Sequence, residues 1–116
     1  MAGVLVIENE EPLLRLLTWA LMDAGFSVSM SRTVPDAANR AGELDPTAII
    51  LNMSMPAENK QSEIKSLRTA YPLACVIDML TSNVEDVTTG GADGYAAPPY
   101  RVSDIVDQIN QWQPPS

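Results

Sequence analysis

The residues of this chain whose types could support chemistry follow four short apolar runs. They are Glu8, Asn9, Asn52, Thr81 and Pro98. Carboxylate oxygens are the ligands that a hard cation such as Mg²⁺ prefers, and Glu8 is the one carboxylate in this set. A cation held by one carboxylate and neutral ligands would bind weakly, so the set predicts no strong metal site and no cofactor.

Two further acids leave an alternative open. Glu10 and Glu11 follow Glu8 closely, and the three side chains could form a metal cluster. Pro12 is tolerated in the first turn of a helix, which indicates that a helix begins beside these acids. Acidic side chains at that position stabilise the helix dipole, and we expect this role for Glu10 and Glu11. The role of Glu8 stays open.

Histidine and cysteine counts exclude several kinds of chemistry. The 116 residues include no histidine and a single cysteine, Cys75. A histidine-dependent triad, a histidine metal site and phosphohistidine chemistry therefore cannot come from this chain. One cysteine forms no intramolecular disulfide, which is typical of a reducing compartment.

The net charge and the hydropathy of the chain argue against two classes of binding partner, nucleic acids and membranes. The formal net charge is −8, so the phosphate backbone of a nucleic acid would be repelled. No apolar run approaches the ~18 residues of a membrane span. The first three residues lack the basic and apolar regions of a signal peptide. We expect a cytoplasmic domain that binds neither nucleic acid nor membrane.

Alternating elements must position the candidate residues. Apolar runs predict four strands, the alternation of polar and apolar residues in 27–30 predicts one more, and helical spacing of apolar residues predicts helices between them. The predicted strands are 4–7, 27–30, 48–51, 74–80 and 95–97, and the predicted helices are 12–24, one opening at 35, 61–70 and 102–112. Right-handed crossovers then give a parallel sheet with helices on both faces and a functional site at the carboxyl ends of its strands.

Three segments carry a resemblance to a known family. Residues 4–15 (VLVIENEEPLLR), 52–56 (NMSMP) and 91–100 (GADGYAAPPY) resemble the opening acidic segment, the phosphoacceptor segment and the fifth-strand segment of response-regulator receiver domains. The resemblance covers nearly the whole chain. It implies a single receiver-like domain over 1–116 with a flavodoxin-like, doubly wound, five-stranded parallel sheet in the order 2-1-3-4-5. Since 81–91 is polar and short, we expect its fourth helix to be shortened or missing.

The same resemblance implies that the phosphotransfer site has degenerated. Asn52 stands at the acceptor position, Glu8 and Asn9 at the acidic pair, Thr81 at the Thr/Ser position and Pro98 at the lysine position. A carboxamide has neither the charge nor the nucleophilicity of the aspartate that attacks phosphorus. Phosphoryl transfer depends on positioning and charge stabilisation, which a proline cannot supply. We expect no enzymatic activity.

Several other residues are candidates for recognition or raise a structural question. Tyr95 resembles the family's switch aromatic, and we expect it to be fixed, either buried or lining a binding surface. Trp19, Trp112 and Tyr100 are candidates for an interaction surface, although the two tryptophans could merely cover a seam between helices.

Asp78 inside an apolar strand is costly unless it is hydrogen-bonded or exposed, so either the register slips or the strand lies near the sheet edge.

The predicted function is a phosphorylation-independent protein–protein interaction module in two-component signalling. Its partner would be a signalling kinase, an effector domain or a second copy, the last giving a homodimer. The alternative is a residual phosphotransfer switch that uses Ser54 or Thr81, with Lys60 or Arg101 supplying the missing charge. A flavin carrier is disfavoured because the acidic loop 8–11 lacks the small residues that cradle a phosphate.

Overall fold

The computed structural model describes residues 2–53, 55–80, 91–97 and 100–114. Over these ranges the chain alternates between strands and helices. The strands are β1 (Gly3–Glu8), β2 (Ser27–Ser31), β3 (Ala48–Asn52), β4 (Cys75–Met79) and β5 (Gly94–Ala96). The helices are α1 (Glu11–Asp23), α2 (Val34–Asn39), α3 (Ala57–Ala70) and α4 (Val102–Gln111).

The strands form one parallel sheet in the order β2-β1-β3-β4-β5. This order confirms the flavodoxin-like topology. The predicted fifth helix is α4 in the present numbering. The expectation of a shortened or missing fourth helix concerns 81–90, which lies outside the described residues.

The core has two layers, one on each face of the sheet. Side chains alternate along each strand, so Val4 and Val6 of β1 point to one face while Leu5 and Ile7 point to the other. The first face packs against α1 and α4, and the second against α2 and α3. Both faces are covered at β1 and β3, which is why the sequences of these two strands are continuous apolar runs.

Helix boundaries follow local chemistry. As predicted, Thr33 caps α2, because its hydroxyl accepts a hydrogen bond from the Asp36 amide at 3.1 Å. The prediction that α3 begins at residue 61 was wrong, since it begins at Ala57. Its first turn is closed by the Lys60 amide, which donates to the Pro56 carbonyl at 3.0 Å. The polar residues 57–60 carry no apolar periodicity, which hid this turn.

Asp78 also corrects the prediction about its strand. β4 lies between β3 and β5, and Asp78 pairs in register with Leu51 and Tyr95, so the strand is neither slipped nor at an edge. Asp78 is 1% exposed and lies 3.3 Å from the ammonium of Lys60, which is itself buried at the start of α3. A cation from the covering helix therefore makes this buried acid tolerable.

Candidate functional site

The candidate site lies at the carboxyl edge of the sheet, between the ends of β1 and β3. Glu8 is the last residue of β1, Asn52 is the last of β3, and the two are direct partners in the register. Because the strands are parallel neighbours, their terminal side chains emerge together on the same face. Sequence reasoning placed both residues at the site, and the structure brings them into contact.

The Glu8 carboxylate is buried and held by hydrogen-bond donors. Only 2% of the residue is exposed. Its Oε1 accepts a hydrogen bond from the Glu10 amide at 3.0 Å, and its Oε2 accepts one from the Asn52 carboxamide Nδ2. Each carboxylate oxygen thus has a donor supplied by the chain itself. This answers the open question about Glu8: within the described structure it is the acceptor at the centre of a small polar network.

Burial raises the pKa of the Glu8 carboxyl above its ordinary value. Desolvation is the largest cause, because the charged form loses its water. Hydrogen bonds from the Glu10 and Asn9 amides and from Asn52 act in the opposite direction and favour the charged form. These donors are neutral, so they solvate the carboxylate without cancelling its charge.

The neighbouring acids do not join Glu8 in a cluster. The Glu10 side chain is exposed, and only its backbone amide reaches Glu8. Glu11 pairs with Arg32 and, at 3.4 Å, with Arg15. Among the residues that the structure describes, no group of three or more His, Cys, Asp or Glu side chains could hold a metal ion.

Of the two cations considered for the lysine position, Lys60 lies away from Glu8 and Asn52. Lys60 pairs with Asp78, which shares the α3 face of the sheet with Val76. Glu8 and Asn52 follow the alternation of Val6 and Ile50, which face α1 and α4, so Lys60 lies on the opposite side of the sheet from them. Arg101 is exposed at the N-terminus of α4. Thr81, Ser54 and Pro98 fall outside the described residues.

Comparisons with known proteins agree with this architecture. The chain is 31% identical over 112 residues to the transcriptional regulatory protein PrrA of Mycobacterium leprae, a match that covers 91% of this chain and 47% of PrrA. The chain is a response-regulator receiver domain. It spans about half the length of the curated relatives that it matches. No protein-family model matches it.

Solved receiver structures have the same fold. Chemotaxis response regulator CheY4 of Vibrio cholerae superposes with a TM-score of 0.76 at 19% identity, covering 96% of this receiver domain and 98% of CheY4. The receiver domain of sensor histidine kinase PA1611 from Pseudomonas aeruginosa gives 0.80 at 15% identity, covering 96% of each chain. That structure contains a magnesium ion coordinated in its active-site cleft.

Tyr95 and Tyr100, the two tyrosines considered for recognition, lie near the β5 edge of the sheet. Tyr95 of β5 is half-buried and level with Asp78, on the face away from Glu8 and Asn52. Its carbonyl accepts a hydrogen bond from the Gln108 side chain at 2.8 Å. The Tyr100 hydroxyl donates to the Leu80 carbonyl just after β4, while 39% of the residue stays exposed. Tyr100 thus joins the chain before α4 to the end of β4 in this receiver domain.

The two tryptophans have different surroundings. Trp19 of α1 is 67% exposed. Trp112 is half-buried against the core layer of α1 and α4, and its indole N–H donates to the Leu73 carbonyl at 3.0 Å. Of the two, Trp112 matches the seam-covering alternative, whereas Trp19 presents its ring to solvent.

Sequence reasoning missed which cation neutralises Asp78. An acid inside an apolar run signals that a partner must exist. The chain has seven lysines and arginines, and no local pattern distinguished Lys60 from the others. Lys60 also lies in the first turn of α3, which the sequence did not predict.

No described helix of the receiver domain is long and apolar enough to cross a membrane.

Proposed function

We propose that this receiver domain is a phosphorylation-independent protein–protein interaction module of a two-component pathway. The observation that carries the proposal is the Asn52–Glu8 hydrogen bond. The residue at the acceptor position donates its amide to the remaining acid of the acidic pair. The Asn52 and Glu8 side chains therefore bind each other. Phosphotransfer would instead need two carboxylates that face a shared cation.

The chemical character of Asn52 supports the same proposal. A carboxamide is uncharged and is too weak a nucleophile to attack phosphorus as an aspartate does. Asn9, the second residue of the acidic pair, is exposed and also neutral. Pro98 at the lysine position has no charge to stabilise a phosphoryl group. We therefore assign Asn52, Glu8, Asn9, Pro98 and Thr81 to a degenerate site that neither binds metal nor catalyses transfer.

The fold remains intact around this degenerate site, which is why binding is the proposed role. Both core layers are complete in the described residues, and large aromatic side chains reach the surface at Trp19 and Tyr100. The proposed partners are a signalling kinase, an effector domain or a second copy. A net charge of −8 argues against nucleic acid as a direct partner. We also propose one receiver domain over 1–116, with a cytoplasmic location that suits its single, unpaired cysteine.

The test is phosphorylation by a small phosphodonor with Mg²⁺, followed by intact-mass measurement. The wild-type chain is expected to gain no phosphoryl group. The matched variant N9D/N52D/P98K restores the acidic pair, the acceptor and the lysine, and is expected to gain one. A phosphorylated variant would show that the assay detects transfer to this fold. The absence of a phosphoryl group on the wild type would then be due to its own residues at the site.

A second measurement covers a site that binds a phosphoryl mimic without transfer. Beryllofluoride and Mg²⁺ would be titrated while backbone amide NMR signals are followed. The Glu8, Asn52 and Tyr95 signals of the wild type are expected to stay in place. If they shift together and saturate, or if the wild type gains mass at Ser54 or Thr81, the residual phosphotransfer switch replaces the present proposal.

A further inference from the structure

The outer face of α1 exposes three large apolar side chains in a row. Leu16 is 62% exposed, Trp19 67% and Met22 58%. Their spacing of three residues puts them on one side of the helix, opposite the buried Leu14 and Leu17. Contiguous apolar surface of this kind marks an interaction site, and tryptophan is the residue type most enriched among side chains that dominate binding energy.

Charged residues flank this face in a symmetrical pattern. Arg15 lies four residues before Trp19, and Asp23 lies four residues after it. Leu16 and Met22 lie three residues before and after it. Counted outward from Trp19, each direction therefore presents first an apolar side chain and then a charge, and the two charges have opposite sign.

We propose that this α1 face, defined by Arg15, Leu16, Trp19, Met22 and Asp23, docks the same face of a second copy of the chain. The two α1 helices would pack antiparallel about a two-fold axis that passes beside Trp19. The inference rests on the proposed function, because it names one partner of the interaction module.

Charge complementarity selects this occupant and this orientation. In an antiparallel pair centred on Trp19, Arg15 of each copy lies at the level of Asp23 of the other, and Leu16 lies at the level of Met22. A parallel pair would place Arg15 beside Arg15 and Asp23 beside Asp23, which is repulsive. The charged levels lie about 6 Å along the helix from Trp19, at ~1.5 Å per residue, so an arginine side chain can reach across.

The surroundings of the face leave these groups able to pair. The Arg15 side chain is 78% exposed, and its 3.4 Å contact with Glu11 is an exposed pair of the weak kind. A cleft of about 390 Å³ adjoins the face between α1 and α4, bordered by Trp19, Val102 and Val106. Apolar side chains of the second copy would extend into this cleft and bury it.

The test is a charge swap, read out by sedimentation equilibrium over a concentration series of the whole chain. The wild type is expected to dimerise. R15D alone and D23R alone each put like charges at both contact levels, and each is expected to weaken the dimer about tenfold. The double variant R15D/D23R restores opposite charges and is expected to recover wild-type affinity within a few-fold.

Two controls make every result decisive. All five α1-face residues are exposed, so the variants are expected to fold, and circular dichroism checks this. W19A removes the central ring and is expected to weaken the dimer at least about thirtyfold. A wild type that stays monomeric up to about 1 mM, or a dimer indifferent to both single reversals, overturns the proposal.

These outcomes are separable from those of the phosphodonor test. A monomeric chain that also gains no phosphoryl group would refute the second copy as partner and leave the interaction module standing. A chain that dimerises through α1 and yet gains a phosphoryl group would refute phosphorylation independence and leave the α1 face standing.

Discussion

Two carboxylates are buried near the carboxyl edge of the sheet, on opposite faces, and they are stabilised in different ways. Glu8 faces α1 and α4 and accepts hydrogen bonds from neutral amides, including that of Asn52. Asp78 faces α3 and lies 3.3 Å from the Lys60 ammonium. Both are nearly inaccessible to solvent. Their difference shows that this edge solvates one charge with dipoles and neutralises the other with a cation.

The surroundings of Glu8 and of Asp78 have different consequences for a ligand at this edge of the sheet. Lys60 is committed to Asp78 on the α3 face and therefore supplies no charge at Asn52. Glu8 keeps its charge uncancelled but has both oxygens occupied by donors of the chain. A cation at Glu8 would compete with the Glu10 and Asn52 donors for the same carboxylate oxygens.

The largest effect is expected from removing the cation. The variant K60M leaves the Asp78 carboxylate buried without its ammonium and is expected to lower the free energy of unfolding by about 3–5 kcal/mol. Urea unfolding measures the change. The matched control K65M, on an exposed position of the same helix, is expected to stay within about 0.5 kcal/mol of the wild type.

A double variant sharpens this prediction. K60M/D78L replaces the ion pair by apolar side chains, and it is expected to recover most of the stability that K60M loses. If K60M costs no more than K65M, Lys60 does not neutralise Asp78, and the contrast between the two carboxylates disappears.

An intermediate effect is expected when Glu8 loses its neutral partner. In N52D the buried Oε2 of Glu8 loses a donor and meets a second carboxylate, so the free energy of unfolding is expected to fall by about 1–3 kcal/mol without metal. Mg²⁺ is expected to restore part of that loss, because it can bridge two carboxylates. Urea unfolding with and without Mg²⁺ measures both effects.

The wild type serves as the reference for that experiment. Its unfolding is expected to be indifferent to Mg²⁺, and N52A controls for the lost hydrogen bond without adding charge. If Mg²⁺ stabilises the wild type as much as N52D, the Asn52 amide does not exclude a cation from Glu8.

The smallest effect is expected in the pH dependence of stability. Burial raises the folded-state pKa of Glu8, so between the unfolded and folded values the native state binds the proton more readily. Stability due to this group is therefore lost as pH rises through that window and regained as pH falls. The slope is at most about 1.4 kcal/mol per pH unit for one proton.

The variant E8Q isolates the contribution of this one carboxyl. Its free energy of unfolding is expected to lack the downward slope above the ordinary glutamate pKa, and urea titrations at a series of pH values measure the difference from wild type. The exposed control E43Q, at the opposite end of the sheet, is expected to keep the wild-type slope. Equal slopes in wild type and E8Q would show that the neutral donors offset the desolvation of Glu8 fully.

Much of the fold could be predicted because the signals are local. The apolar runs before Glu8 and Asn52 are short and continuous, as is typical of strands covered on both faces. Thr33 predicted the start of α2, which the structure confirms. The start of α3 could not be predicted in this way, because its first turn is polar and its closing hydrogen bond to Pro56 leaves no apolar pattern.

The candidate site was also partly readable. Parallel strands bring their carboxyl ends to one edge, so Glu8 and Asn52 could be placed together from their positions after two apolar runs. The hydrogen bond between their side chains could not be predicted, because it depends on the register of β1 against β3 and on the Glu8 oxygen that the Glu10 amide leaves to Asn52. Likewise, Trp19 and Trp112 looked alike in sequence, and only their packing separates an exposed ring from a half-buried one.

By itself, the sequence determined the composition of the site: a carboxamide at Asn52, one acid at Glu8 and a proline at 98, together with the strand pattern that gathers the first two. Residue type is fixed by the covalent chain, and the continuous apolar runs of β1 and β3 indicate strands that are buried on both faces. Only the tertiary structure decided that Lys60 neutralises Asp78 while neutral amides surround Glu8. Partners 18 and 44 residues apart in the chain meet only when the sheet is assembled and its helices cover it, because the energy of a buried charge depends on what the fold places within a few ångströms.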